Sequence, residues 1–157
     1  MVDVDANAGR TELSTVDDTI ALGARLGERL TAGDVVVLSG PLGAGKTLLT
    51  KGIALGMDVS GPVTSPTYVL ARVHPARRAG CPALVHVDVY RLLGDAATDI
   101  LAELDSLDLD TDLTDAVVVV EWGEGLAERL SDSHLDIRLE RSNDSETRTA
   151  SWQWSHR

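Results

Sequence analysis

A chain of 157 residues, 43% of them hydrophobic, is long enough for one domain with a single substantial core. Acidic side chains outnumber basic ones 25 to 14, and the resulting net charge of −11 argues against a sequence-independent grip on nucleic acid. One cysteine, Cys81, rules out an internal disulfide and a CxxC metal or redox site, and the lack of phenylalanine leaves the core to aliphatic side chains.

Residues 1–10 carry few apolar anchors and are expected to fray, leaving 11–157 as one domain. Ser14 or Thr15 can cap a helix running to about Leu30, with Asp17 and Asp18 at its positive end and Ile20, Leu22, Leu26 and Leu30 as its buried stripe. The turn Thr31-Ala32-Gly33-Asp34 leads into a strand, Val35 to Leu38. Next comes Gly40-Pro41-Leu42-Gly43-Ala44-Gly45-Lys46-Thr47, which fits the G-x-x-x-x-G-K-[ST] phosphate loop (P-loop). Its setting, strand before and helix-compatible Lys46 to Leu55 after, is the one the chemistry requires. Glycines let the backbone curl so that successive N–H groups face phosphate oxygens, and the following helix start adds its positive dipole end. Lys46 then reaches the β- and γ-phosphates, and the Thr47 hydroxyl holds Mg2+. Nucleoside triphosphate binding follows from this motif.

Beyond a turn at Gly56 to Gly61, Pro66 biases Ser65 to extended backbone. Tyr68 to Val73 and Ala83 to Val89 suit an antiparallel hairpin around an Arg77-Arg78 loop. Leu92 to Leu107 and Gly125 to Leu130 read as helices, and Asp105, Asp108, Asp110, Asp112 and Asp115 as a solvated acidic stretch. Ala116 to Val120 is apolar without alternation, as a strand buried on both faces would be. His134 to Arg141 alternates and pairs with Thr147 to Trp154 as a C-terminal β-hairpin. The expected fold is α/β, a three-layer P-loop NTPase arrangement with a mixed, mostly parallel central sheet. The acidic start lacks the basic and apolar regions of a signal peptide, and no apolar run reaches the roughly 20 residues needed to cross a bilayer, so a cytoplasmic protein without membrane contact is expected.

Phosphoryl transfer also needs a carboxylate near the metal and a group that places the attacking oxygen. Asp88 and Glu121 both end strands, where α/β sheets place their ligands. One would bind Mg2+ and the other would orient the nucleophile; the residues alone leave open which does which. His86 shares a strand face with Asp88 and either pairs with it or packs in the core. Arg91 contacts phosphate or a surface carboxylate, and Trp122 packs at the site mouth or against a partner. Thr64 and Ser65 place hydroxyls on a loop able to sense a γ-phosphate.

Four segments, Gly40 to Thr47, Val63-Thr64-Ser65-Pro66-Thr67-Tyr68, His86-Val87-Asp88-Val89-Tyr90-Arg91-Leu92 and Val119-Val120-Glu121-Trp122, occur in the order and spacing of the TsaE (YjeE) family. The chain resembles this family of P-loop ATPases of bacterial tRNA threonylcarbamoyladenosine synthesis from about Thr15 to Arg148. The resemblance implies ATP and Mg2+ as cofactors, Lys46, Asp88 and Glu121 as catalytic residues, and Thr47 with Glu121 as metal ligands. It assigns Gly40, Leu42, Gly43, Ala44, Gly45, Lys46, Thr47, Leu48, Thr15 and Arg148 to the nucleotide, and Thr64 and Ser65 to a switch. It further implies the partners TsaD and TsaB, with tRNA met only through that complex. Weak ATPase activity alone, stimulated by the partners, is the expected behaviour. Pro41 stands where the family usually has Asp, and Leu48 where it often has a second Thr, which removes a hydroxyl from the α-phosphate region. No guanine-binding Asn/Thr-Lys-x-Asp motif occurs, which favours ATP over GTP. A P-loop small-molecule kinase with Arg77-Arg78 as its lid, or a nucleotide-gated binding module, are the alternatives.

Overall fold

A computed structural model of the chain describes residues 3–41, 43–63, 71–88, 113–121, 134–142 and 146–155. They form strands β1 (Ala8–Leu13), β2 (Val35–Ser39), β3 (Ala71–His74), β4 (Ala83–Asp88), β5 (Ala116–Glu121), β6 (His134–Arg141) and β7 (Arg148–Ser155), with helices α1 (Val16–Gly27) and α2 (Lys46–Met57). The strands make one sheet in the order β1-β7-β6-β2-β5-β4-β3. Its four central members, β6, β2, β5 and β4, run parallel. Antiparallel β3 flanks them on one side, and β7 with β1 on the other. The expected C-terminal hairpin is β6–β7, and the expected antiparallel excursion is β3–β4.

β2 and β5 are buried at every position, which is why their sequences are apolar runs rather than alternations. Val36, Leu38, Leu84, Val117, Val119, Leu135 and Ile137 form one core with Leu22 and Leu26 of α1 and Leu49 and Ile53 of α2. Val35, Val37, Val85, Val87, Val118 and Val120 form a second core on the opposite face. Burial on both faces is what a three-layer α/β arrangement requires.

α1 begins with a full capping box, Thr15 accepting from the Asp18 amide while the Asp18 carboxylate accepts from the Thr15 amide. The helix ends at Gly27, and a tighter turn, Leu30 N–H to the Gly27 carbonyl, brings Leu30 into the core. The buried stripe is Thr19, Leu22, Gly23, Leu26 and Gly27. Ile20, expected in it, is only half-buried. The reason is the close crossing with α2, in which Gly23 and Gly27 face Gly52, Ile53 and Leu49, so that a Cβ on Gly23 would stand 2.9 Å from the Gly52 Cα.

The expectation of a frayed start through Arg10 is corrected by β1, which pairs with β7 from Ala8 to Leu13. The tie is long-range and therefore invisible to a local reading. Gly9 lies opposite Trp152, whose ring fills the space a side chain would take. Val4 is buried, Arg29 donates to its carbonyl and pairs with Asp5 at 3.2 Å, and the Arg29 guanidinium sits 5.6 Å from the Trp154 ring centre. Arg91, Trp122, the helices expected at 92–107 and 125–130, and the acidic stretch before Leu113 lie outside the described residues. No helix among the described residues is long and apolar enough to cross a membrane.

Candidate nucleotide-binding site

β2 delivers the chain from the sheet into the loop that precedes α2, and three glycines there take backbone angles that other residues rarely adopt. Gly40, Gly43 and Gly45 have φ of 151°, 81° and 104°. Any side chain on Gly40 would strike the Leu139 backbone of β6. Gly45 is the N-cap of α2 in left-handed geometry, with no side-chain cap and no acidic residue in the first turn. The positive end of the helix is thus left open to an anion. Ala44 is buried beneath the loop, and Leu48 is half-buried in the first turn of α2.

Lys46, 7% exposed, turns its ammonium back across the loop and donates to the Gly40 carbonyl at 2.5 Å and the Pro41 carbonyl at 3.3 Å. Thr50 anchors this turn by donating to the Lys46 carbonyl at 2.9 Å. The Thr47 hydroxyl donates to Glu121 Oε1 at 3.4 Å across the gap between α2 and the end of β5. β4 and β5 pair in register Asp88↔Glu121, so the two strand-ending residues stand side by side.

His86, expected either to pair with Asp88 or to pack in the core, is fully buried, and its Nε2 lies 3.5 Å from Glu121 Oε1. Strand order explains the approach to Glu121. β5 is the neighbour of β4, and the register His86↔Val119 sets Glu121 diagonally ahead on the same face. His74 of β3 lies on that face too. It is buried and donates from Nδ1 to the Ser60 carbonyl at 3.2 Å. Burial is the main cause that holds its pKa below the ordinary value of 6.5, with His86 and Arg72 adding like-charge repulsion against the raising effect of the Ser60 contact.

Arg148, at the start of β7, donates from Nη2 to the Gly43 carbonyl at 3.3 Å, which places it against the phosphate loop. Two further side chains approach the loop, Thr19, within the 14–19 stretch the resemblance sets near the adenine, and Arg141, which the sequence reading missed. Thr19 packs 3.8 Å from where a Cβ on Gly45 would be, and Arg141 reaches within 3.6 Å of the equivalent point on Gly43. Arg141 lies directly opposite Arg148 in the hairpin, a register that a hairpin alignment of the sequence would have given. Thr15 sits one turn before Thr19, with its hydroxyl engaged in the helix cap. Leu42, Thr64, Ser65 and the Asp88 side chain lie outside the described residues.

The protein atoms present suit a magnesium nucleotide. A threonine hydroxyl and a carboxylate are hard oxygen donors, Mg2+ takes one or two protein ligands with phosphate completing its shell, and the loop supplies an anion cradle beside them. The family model described as threonylcarbamoyl adenosine biosynthesis protein TsaE matches residues 13–150. The chain belongs to the TsaE family. It is 71% identical to the tRNA threonylcarbamoyladenosine biosynthesis protein TsaE of Mycobacterium tuberculosis over 146 residues, 93% of this chain and 87% of that protein. Against the Streptomyces coelicolor protein of the same name the identity is 55% over 121 residues, 77% of this chain and 78% of that one. The crystal structure of Bacillus subtilis YdiB superposes with a TM-score of 0.68 at 27% identity, covering 99% of this chain and 87% of that one. Family and fold agree with the expectation drawn from the four sequence segments.

Proposed function

We propose that the chain is the Mg2+-dependent ATPase subunit acting on the TsaB–TsaD complex in threonylcarbamoylation of adenosine at position 37 of ANN-decoding tRNAs. The observation that carries this reading is the approach of Thr47 and Glu121, a hydroxyl and a buried carboxylate 3.4 Å apart beside an open phosphate loop. Gly40, Leu42, Gly43, Ala44, Gly45 and Leu48 form the loop and helix start that bind phosphate, and Lys46 offers its ammonium to the same oxygens. Thr47 and Glu121 would hold the cation, which when bound neutralises charge on the phosphate oxygens. Arg148 steadies the loop from β7, and Thr15 opens the helix beside it. Asp88, side by side with Glu121, is assigned to orient the attacking water, and Thr64 with Ser65 to sense the γ-phosphate.

Low activity alone is part of this reading, and the Arg77-Arg78 loop is consistent with it. Arg77 and Arg78 both pair with Asp58, at 3.9 and 3.3 Å, on the loop between β3 and β4. A docked partner is assigned the part of completing the site for transition-state charge. The test is reconstituted tRNA modification with purified TsaB and TsaD. Wild-type chain is expected to support repeated rounds, and Lys46→Ala to abolish them; undiminished modification with Lys46→Ala would refute the reading.

A further inference from the structure

His86 is fully buried, and neither ring nitrogen has a hydrogen-bond partner among the described residues. A polar ring in such a place costs stability that leucine or valine would not, so packing alone does not account for it. The Glu121 carboxylate lies beside it, with Nε2 3.5 Å from Oε1. The same oxygen receives the Thr47 hydroxyl at 3.4 Å. Both distances are long for a hydrogen bond, and only the Thr47 contact has hydrogen-bond geometry, so Oε1 is not held firmly by either neighbour.

We infer that His86 is a positioning residue for the cation site: its Nε2–H holds Glu121 in place when the Thr47 hydroxyl turns from the carboxylate to a bound Mg2+. The backbone enforces this arrangement. Leu84 shares the core that carries Val117, Val119 and α2, so alternation along β4 turns His86 toward the same side, and β5 turns Glu121 there as well. His86 and Glu121 are diagonal neighbours on adjacent parallel strands, and α2 lays Thr47 against them. Side chains that orient a metal ligand in this way govern affinity for the metal rather than for the nucleotide.

The inference rests on the reading of Thr47 and Glu121 as the cation site, and calorimetry on the full chain separates the two. ADP is titrated with and without Mg2+ into wild type, His86→Asn and His86→Gln, which both keep a polar side chain in the core. Only glutamine is long enough to put an N–H where Nε2 stands. His86→Asn is expected to bind ADP normally without metal and to lose about tenfold in Mg2+ affinity, while His86→Gln recovers most of that loss. Wild-type Mg2+ affinity in His86→Asn, or equal loss in both variants, would overturn the role given to Nε2. Indifference of wild-type ADP binding to Mg2+ would instead remove the cation site itself.

Discussion

Lys46 is a buried cation whose ammonium is held by the carbonyls of Gly40 and Pro41, ligands far poorer than the phosphate proposed to bind its loop. Lys46→Ala is expected to fold with nearly unchanged Tm and to lose about ten- to a hundredfold in ATP affinity, the value of a hydrogen bond to a charged group. Titration of ATP followed by heat release measures it; unchanged affinity would place the nucleotide elsewhere. His74 gives a pH-dependent signature of a different kind. Its folded pKa lies below 6.5, so the unfolded chain takes up a proton first as pH falls. Its contribution to stability is therefore full above 6.5 and is lost as pH drops toward the folded value. Comparison of Tm between pH 7.5 and 5 should show a steeper fall in wild type than in His74→Leu, and parallel curves would refute the assignment. Local geometry set by immediate neighbours in sequence, such as the glycine turn at Gly45 and the helix start at Lys46 and Thr47, was legible in the sequence. The approach of His86 to Glu121 was not, because it is set by strand order, through the adjacency of β4 and β5.

At the scale of elements, α1 and α2 cross through glycine against backbone, an arrangement that reverses the usual effect of helix propensity. In an isolated helix Gly→Ala stabilises by about 1 kcal/mol. In this crossing a Cβ on Gly23 or Gly52 would enter the backbone of the other helix, so Gly23→Ala and Gly52→Ala are expected to destabilise by about 1–3 kcal/mol. Thermal melts should register this as a lowered Tm, roughly 2–4 °C for each kcal/mol, and a raised Tm would contradict the packing. The strands with strong local patterns, β2, β5, β6 and β7, were readable because burial on both faces gives apolar runs and burial on one face gives alternation. β1 carried no such pattern. Its order comes from pairing with a strand about 140 residues later in the chain, and from Trp152 lying over Gly9, neither of which leaves a local mark.

Across the whole molecule, the acidic surplus and the basic character of the phosphate loop pull in different directions. A net charge of −11 repels polyanions at long range, while Lys46, Arg141 and Arg148 gather positive charge at one place around Gly43 and Gly40. The isolated chain is accordingly expected to leave tRNA unshifted in a native gel at physiological salt and to comigrate with it only when TsaB and TsaD are present. The decisive measurement is the rate of ATP hydrolysis by the chain alone and with purified TsaB and TsaD. Slow turnover alone, strong stimulation by the pair, and loss of that stimulation in Lys46→Ala and Glu121→Ala is the predicted result. Tight ATP binding with no stimulation, or stimulation undiminished in both variants, would contradict a partner-activated ATPase built on Thr47 and Glu121.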